Sequence, residues 1–301
     1  MDQYLTIMNK KILLLAVLCS AMVANAGFLR VNNVDASAPY QQINAAVADA
    51  AEGDTILVEG STVDYEAATL DKRLVLIGPG YWLRENGIGT EATQTAIING
   101  LTTKAAGSAI MGVYVVNTIQ VEGERTVINR CYAQNGISIS ETANNCIIRQ
   151  NFITGDVGSG YNHSGYHQIT NNIFGSISCT GVNNCYIAYN TEYTWWGASF
   201  WNSANNKIEH NIFFGNMDDG DGNDYADNAT VGELFKDITT DRDVQNTVLS
   251  DEAADKGAFA GDSPYVISGI PAGPMIEELV VPASVEEGSM MEVTIKLGTA
   301  K

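Results

Sequence analysis

Between residues 144 and 214 one short pattern recurs four times: an aliphatic residue, two variable residues, then asparagine. The copies are 148–151, 169–172, 187–190 and 208–211, and their asparagines, Asn151, Asn172, Asn190 and Asn211, lie 21, 18 and 21 residues apart. Three copies carry an apolar run after the asparagine: Phe152 and Ile153, Ile173 and Phe174, and Ile212 to Phe214. A period near twenty, made of short β-rich runs with Asn and Gly corners, predicts a coiled β-solenoid. Each strand then pairs with its equivalents about 4.8 Å above and below. The asparagines are expected to turn the corners, since Asn tolerates the left-handed conformation, and to pass amide hydrogen bonds from coil to coil. Alternation then points positions three and five before each Asn inward, and positions two and four outward. The outward columns are Ile147, Gln168, Tyr186 and Lys207, and Arg149, Thr170, Ala188 and Glu209.

The same reading extends upstream with looser repeats. Strands are predicted over 55–58, 73–77, 95–98, 109–116, 126–131 and 137–140. Before them, Ile43, Ala46, Val47 and Ala50 recur at helical spacing. A helix over 37–52 is predicted, with Ser37 as N-cap and Pro39 in its first turn, covering the open end of the core. Residues 215–262 hold thirteen Asp and Glu against Lys236, Arg242 and Lys256. They read as irregular segments over the last coils. Residues 263–301 read as a β tail, with strands over 276–281 and 291–297, that closes the C-terminal end.

The extreme N-terminus is read apart from the fold. Lys10 and Lys11 precede an apolar run over 12–18, and Ala24-Asn25-Ala26 follows, which is the form of a signal peptide cleaved before Gly27. Export is therefore expected. No later stretch reaches membrane length. Removing residues 1–26 takes away Lys10, Lys11 and Asp2 and leaves a net charge of −20. Such a chain repels nucleic acid, and repels polyanionic glycans unless a cation or a local basic patch intervenes. Cys146, His167 and Cys185 share one inward repeat position, and Cys131 stands where later coils have Asn. Cys146 and Cys185, two coils apart, are too distant for a disulfide, which leaves only Cys179–Cys185 open.

Residues 39–80 (PYQQINAAVADAAEGDTILVEG…LVLIGPG) resemble the N-terminal cap and first coils of right-handed parallel β-helix proteins of the pectin lyase-like superfamily, and the Asn coils resemble the rest of that domain. Residues 262–296 resemble a tail found on exported Gram-negative bacterial proteins with this repeat. The resemblance implies an all-β fold, a right-handed parallel β-helix with an N-terminal capping helix. It leaves activity open, because this scaffold hosts lyases, glycosidases, esterases and adhesins alike. The family's pectate lyases hold Ca²⁺ on outer carboxylates and use a basic residue as base. Neither that set nor the aspartate cluster of its polygalacturonases can be placed here.

Four features bear on chemistry. Tyr189, Tyr193, Trp195, Trp196 and Trp201 crowd one coil and suit a platform for sugar rings, against the plainer reading that they are packed away. Glu192 stands where neighbouring coils have Ile153, Phe174 and Phe213. Facing inward, it would be a carboxyl with raised pKa, but a bulge that turns it out is favoured because burying an acid is costly. The loop 155–166 offers His163 and Tyr161 beside His167 and Arg149 for lyase-type proton abstraction, with a flexible insertion as the plainer reading. His210 completes the candidate catalytic residues. Asp219, Asp221 and Asn223 alternate as Ca²⁺ ligands do, yet the closing Glu of an EF-hand is replaced by Thr230, so a solvated acidic loop is the default. The combined expectation is an exported monomer that binds polysaccharide on its lateral surface, with a polysaccharide lyase or glycoside hydrolase in a lateral groove as the alternative.

Overall fold

The structure is a computed structural model that describes residues 26–88, 94–159, 164–175, 178–193, 198–214, 222–230, 255–271, 274–280 and 293–299. Three parallel sheets of ten, eight and six short strands stack coil upon coil into a β-helix around one apolar core. Its spine is a column in strict register on the ten-stranded sheet: Ile56, Leu76, Ile110, Ile128, Ile148, Ile169, Ile187 and Ile208. All eight are fully buried. The expected alternation holds, since Ile147 and Arg149 flank buried Ile148 on the outer face and pair with Gln168 and Thr170.

The buried asparagines form a ladder. Asn172 Oδ1 accepts from the Asn151 backbone N–H (2.9 Å) and from Asn151 Nδ2 (3.0 Å). Asn172 Nδ2 donates to Ile148 O (2.9 Å) and to Asn190 Oδ1 (3.0 Å). The side-chain chain runs on through Asn190, Asn211 and Asn228. Asn228 extends it one coil beyond the four repeats read from the sequence. A second, shorter ladder joins Asn206 to Asn223 (3.0 Å).

The corners differ from expectation in one respect. The left-handed residue is the one before each ladder asparagine: Gln150 (φ 56), Asn171 (φ 55), Tyr189 (φ 56), His210 (φ 56) and Asp227 (φ 51), with Arg130 (φ 55) one coil earlier. The reason is geometric. The asparagine side chain must point inward to reach its neighbours, so the bend falls on the preceding residue, whose side chain then points out. A second left-handed column, Asn145, Tyr166, Asn184 and Asn205, stands at the other end of the same strands.

The capping helix spans Ile43–Asp49, shorter than the 37–52 predicted. Tyr40 forms a parallel bridge with Val31, and its carbonyl accepts from Asn32 N–H, so the chain stays extended through that point. Gln42, without a side-chain cap bond, takes the N-cap place assigned to Ser37, whose hydroxyl and N–H both donate to Asp35. The strand predicted over 109–116 is split into Ala109–Met111 and Tyr114–Val115 by a corner at Gly112 (φ 64).

Residues 255–271 run along the outside of the coils as a strap. Gly257 N–H donates to His210 O, and Ala258 N–H to Thr191 Oγ1. Asn171 Nδ2 donates to Ala258 O and Ala260 O, Gln150 Nε2 to Ser263 O and Pro264 O, and Arg130 Nη1 to Ile270 O. Thus the outward side chains of the left-handed corners hold the strap from the late coils back toward Tyr81. Gly257 (φ 73) has no room for a Cβ, which would sit 2.5 Å from Ile212 Cδ1. The strands Pro274–Val280 and Thr294–Thr299 pair antiparallel, near the two tail strands predicted. Part of the acidic segment is not irregular as expected but forms a further coil, with strands Asp224–Ala226 and Ala229–Thr230 paired in parallel on the coil before it, while 215–221 and 231–254 lie outside the described residues.

Asn172→Ala removes four side-chain hydrogen bonds and leaves buried partners unmatched. It should lower unfolding free energy by about 3 kcal/mol or more. Urea denaturation checks this, and a loss under about 1 kcal/mol, the net value of one ordinary bond, would mean the ladder is not a major support.

Candidate functional site

The inward column predicted from Cys146, His167 and Cys185 is present. Cys146 N–H donates to His167 Nδ1 (3.2 Å), and His167 N–H meets Cys185 Sγ (3.3 Å). Nδ1 therefore accepts, so Nε2 carries the proton and donates to Ser164 Oγ (3.1 Å). His167 is buried, and burial lowers its pKa to about 4. It is a rung of the core and faces no groove. All four described cysteines are buried free thiols, Cys179 and Cys185 included. Burial pushes Cys131 and Cys185 up to about 12 and Cys146 up to about 11.

Glu192 corrects the favoured bulge. It pairs in register with Phe174, faces the core and is fully buried. Its Oε2 accepts the Phe214 backbone N–H at 2.7 Å. The carboxyl group thus ties one coil to the next where an apolar side chain would have left that amide without this partner. It does not open onto the lateral surface.

The aromatic coil is dispersed. Tyr193 is packed away, stacked on Phe152 with centroids 5.3 Å apart. Tyr189 stacks on His210 at 4.9 Å and is covered by Gly261 of the strap. Trp201 is exposed, while adjacent Phe200 lies in the core. Trp195, Trp196, His163 and Tyr161 lie outside the described residues. Arg149 is exposed on the outer sheet. On the same sheet, nearer the C-terminus, Lys207 bonds Glu209 (2.8 Å) and sits 5.7 Å from the Tyr186 ring centroid. That hydrogen bond holds the Glu209 carboxyl below its ordinary pKa, while burial and then Glu209 push Tyr186 up to about 12. Asn223 Oδ1 is taken up by Asn206, and the other two candidate Ca²⁺ ligands, Asp219 and Asp221, lie outside the described residues. Among the described residues no group of His, Cys, Asp and Glu is placed to hold a metal ion. The catalytic candidates are therefore divided between core and surface.

What the structure assembles instead is an aromatic belt on the outer face of the eight-stranded sheet. Tyr114 stacks on Tyr132 (4.3 Å), Tyr132 meets Phe152 edge-on (5.3 Å), and Trp82 leans on Tyr132 (5.0 Å) and Phe152 (4.8 Å). The strap covers the far part of the belt through Ala258, Phe259 and Tyr265. At the near end the belt opens into a cleft of about 170 Å³, walled by Trp82 and Tyr114 and rimmed by Ser61, Arg84, Glu85 and Gln94. Tyr114 O–H bonds Gln134, which fixes the ring. The belt had a signal in the sequence: Tyr114, Tyr132 and Phe152 are 18 and 20 residues apart, the solenoid period itself. Phe152 directly follows the ladder asparagine Asn151, and Tyr132 and Tyr114 follow Cys131 and Val113 at the equivalent place in earlier coils. A second cleft of about 190 Å³, beside the cap helix, is lined by Asn33, Gln41, Gln42, Asn44, Asp64 and Glu66. Tyr65 is its only ring among these linings and is itself buried in the core.

The fold and these clefts define a parallel β-solenoid with a lateral aromatic site. No family model, curated protein or solved structure matches the chain. Among the described residues no helix is long and apolar enough to cross a membrane.

His167 supplies a pH test of its structural role. Its folded pKa of about 4 lies below the unfolded value of 6.5, so the unfolded chain binds the proton more readily. Stability is fully present above pH 6.5 and is lost as pH falls toward 4. Between pH 7 and 4.5 the loss from this residue should be about 2.5 kcal/mol. His167→Asn, matching Asn206 in the same column, should abolish that component. Equal pH dependence in the two proteins would show that His167 is not held neutral in the fold.

Proposed function

We propose that this chain is an exported β-helix protein of the pectin lyase-like class that binds polysaccharide on its lateral surface without cleaving it. The observation that carries the reading is the Trp82–Tyr114 cleft. Flat aromatic faces receive the C–H faces of sugar rings, while the rim supplies donors and acceptors for hydroxyl groups: Arg84, Glu85 and Gln94. Strands repeating at one coil spacing below the cleft make a rigid support, so binding orders few side chains. The platform is thus reassigned from the 189–201 coil to the early coils.

The lyase or glycoside hydrolase alternative loses two of its candidate groups. His167 is a neutral rung of the core, and the buried Glu192 carboxyl group holds the next coil. General acid–base work needs its group within hydrogen-bond reach of the substrate.

The full exported chain is titrated against a panel of neutral and acidic polysaccharides. Trp82→Ala should weaken binding about tenfold or more, as loss of a buried aromatic anchor does. Glu85→Ala, an exposed change that leaves the belt intact, should weaken it by a smaller factor, and Trp201→Ala should leave it unchanged. Wild-type affinity in both Trp82→Ala and Glu85→Ala would remove this cleft from consideration. New reducing ends or unsaturated products would overturn the non-catalytic reading.

A further inference from the structure

Most described cations of this acidic chain are matched. Arg30 pairs with Asp35 and Glu59, Arg73 with Glu52, Arg125 with Glu124, Lys207 with Glu209 and Lys256 with Asp255. Lys72 caps the helix through the carbonyls of Val47, Ala48 and Ala50. Arg130 and Arg149 are different. They occupy adjacent coils, the Arg130 backbone N–H donating to Arg149 O at 3.2 Å, and among the described residues neither forms an ion pair.

Arg130 is 7% exposed. Its Nε donates to Gln150 Oε1 (2.9 Å) and its Nη1 to Ile270 O (2.7 Å), both neutral acceptors. A guanidinium has five N–H donors, so donors remain beyond these two bonds. Asn129, in register with Arg149, is 5% exposed, and its Oδ1 has no hydrogen-bond partner among the described residues. A half-turn of the Asn129 amide presents Nδ2, a donor, in the same place. Burial, and then the charge of Arg149, lower the Arg130 pKa. The fold therefore holds a nearly buried cation beside a like charge and an unmatched amide, in a chain with more than twice as many acids as bases. Such an arrangement is costly unless an anion joins it.

We propose that Arg130, Arg149 and the Asn129 amide form an oxyanion subsite on the side of the solenoid, fitted to a carboxylate or a sulfate group. Arg130, held in place by Gln150 and Ile270, supplies directed N–H donors. Arg149, on the exposed strand face, supplies a mobile second charge. Guanidinium–oxyanion bonds are the strong, charge-assisted kind. The subsite stands apart from the glycan reading, since its residues do not line the Trp82 cleft.

The test follows the side-chain Nε–H resonances of Arg130 and Arg149 in ¹⁵N-labelled full chain during titration with sodium sulfate and with sodium acetate. Sodium chloride at equal ionic strength is the reference. Saturable shifts of both resonances with sulfate or acetate, absent with chloride, are expected. Arg149→Gln, an exposed change compatible with folding, should weaken sulfate binding about fivefold or more, the loss of one charge-assisted contact. Shifts that match those in chloride, or equal affinity in Arg149→Gln, would overturn the subsite. A uronate oligosaccharide and a neutral one of equal length then separate the sources. Tighter binding of the uronate than of acetate assigns the anion to a glycan, and equal binding assigns it to a free oxyanion. Both results uphold the subsite, and a failure of the Trp82 cleft would leave it standing.

Discussion

The asparagine ladder is the constraint on which the rest of the molecule depends. Each rung is fully or largely buried, and each amide answers two needs together. Its oxygen accepts the backbone N–H of the preceding coil, and its nitrogen donates to that coil's carbonyl and to the next rung. A coil corner inside a protein otherwise strands backbone groups away from water, at about 1–3 kcal/mol each. The left-handed residue before each rung adds a strain of about 1–3 kcal/mol that the ladder must offset. Loss of one rung is therefore felt by its neighbours, because each amide completes the bonding of the next.

The ladder also decides what faces outward. Because the bend falls one residue before the asparagine, or before Cys131 in the earlier coil, the side chains of Arg130, Gln150, Asn171, Tyr189 and His210 are thrown to the outside. Three of them then hold the strap of residues 255–271 by its carbonyl groups. The strap in turn seals the late part of the aromatic belt and leaves the early part open beside Trp82. Core geometry, strap and cleft are thus consecutive consequences of one corner. Arg130 belongs to this same column, so the proposed oxyanion subsite and the strap share a residue. Glu192 shows a related economy: a polar group in an apolar column is kept because it completes the hydrogen bonding of the coil above.

Repeat period, inward and outward alternation, the amide ladder and the Cys146–His167–Cys185 column were legible in the residues, since each rests on local spacing repeated coil after coil. The parallel β-solenoid follows from that repetition. The functional surface was less legible. The crowding of Tyr189, Tyr193 and Trp201 in one stretch suggested one platform, yet a coil distributes consecutive residues around its whole circumference, so neighbours in sequence face different directions. The belt of Tyr114, Tyr132 and Phe152 was spread over three coils, and only stacking brought it together. The strap was hidden because its anchors lie as many as 186 residues away in the chain. The inward turn of Glu192 likewise depended on the Phe214 amide of the following coil being there to receive it. Local repetition carries the fold in this chain, whereas the surface is set by contacts between coils and by the segment laid across them, which no local spacing encodes.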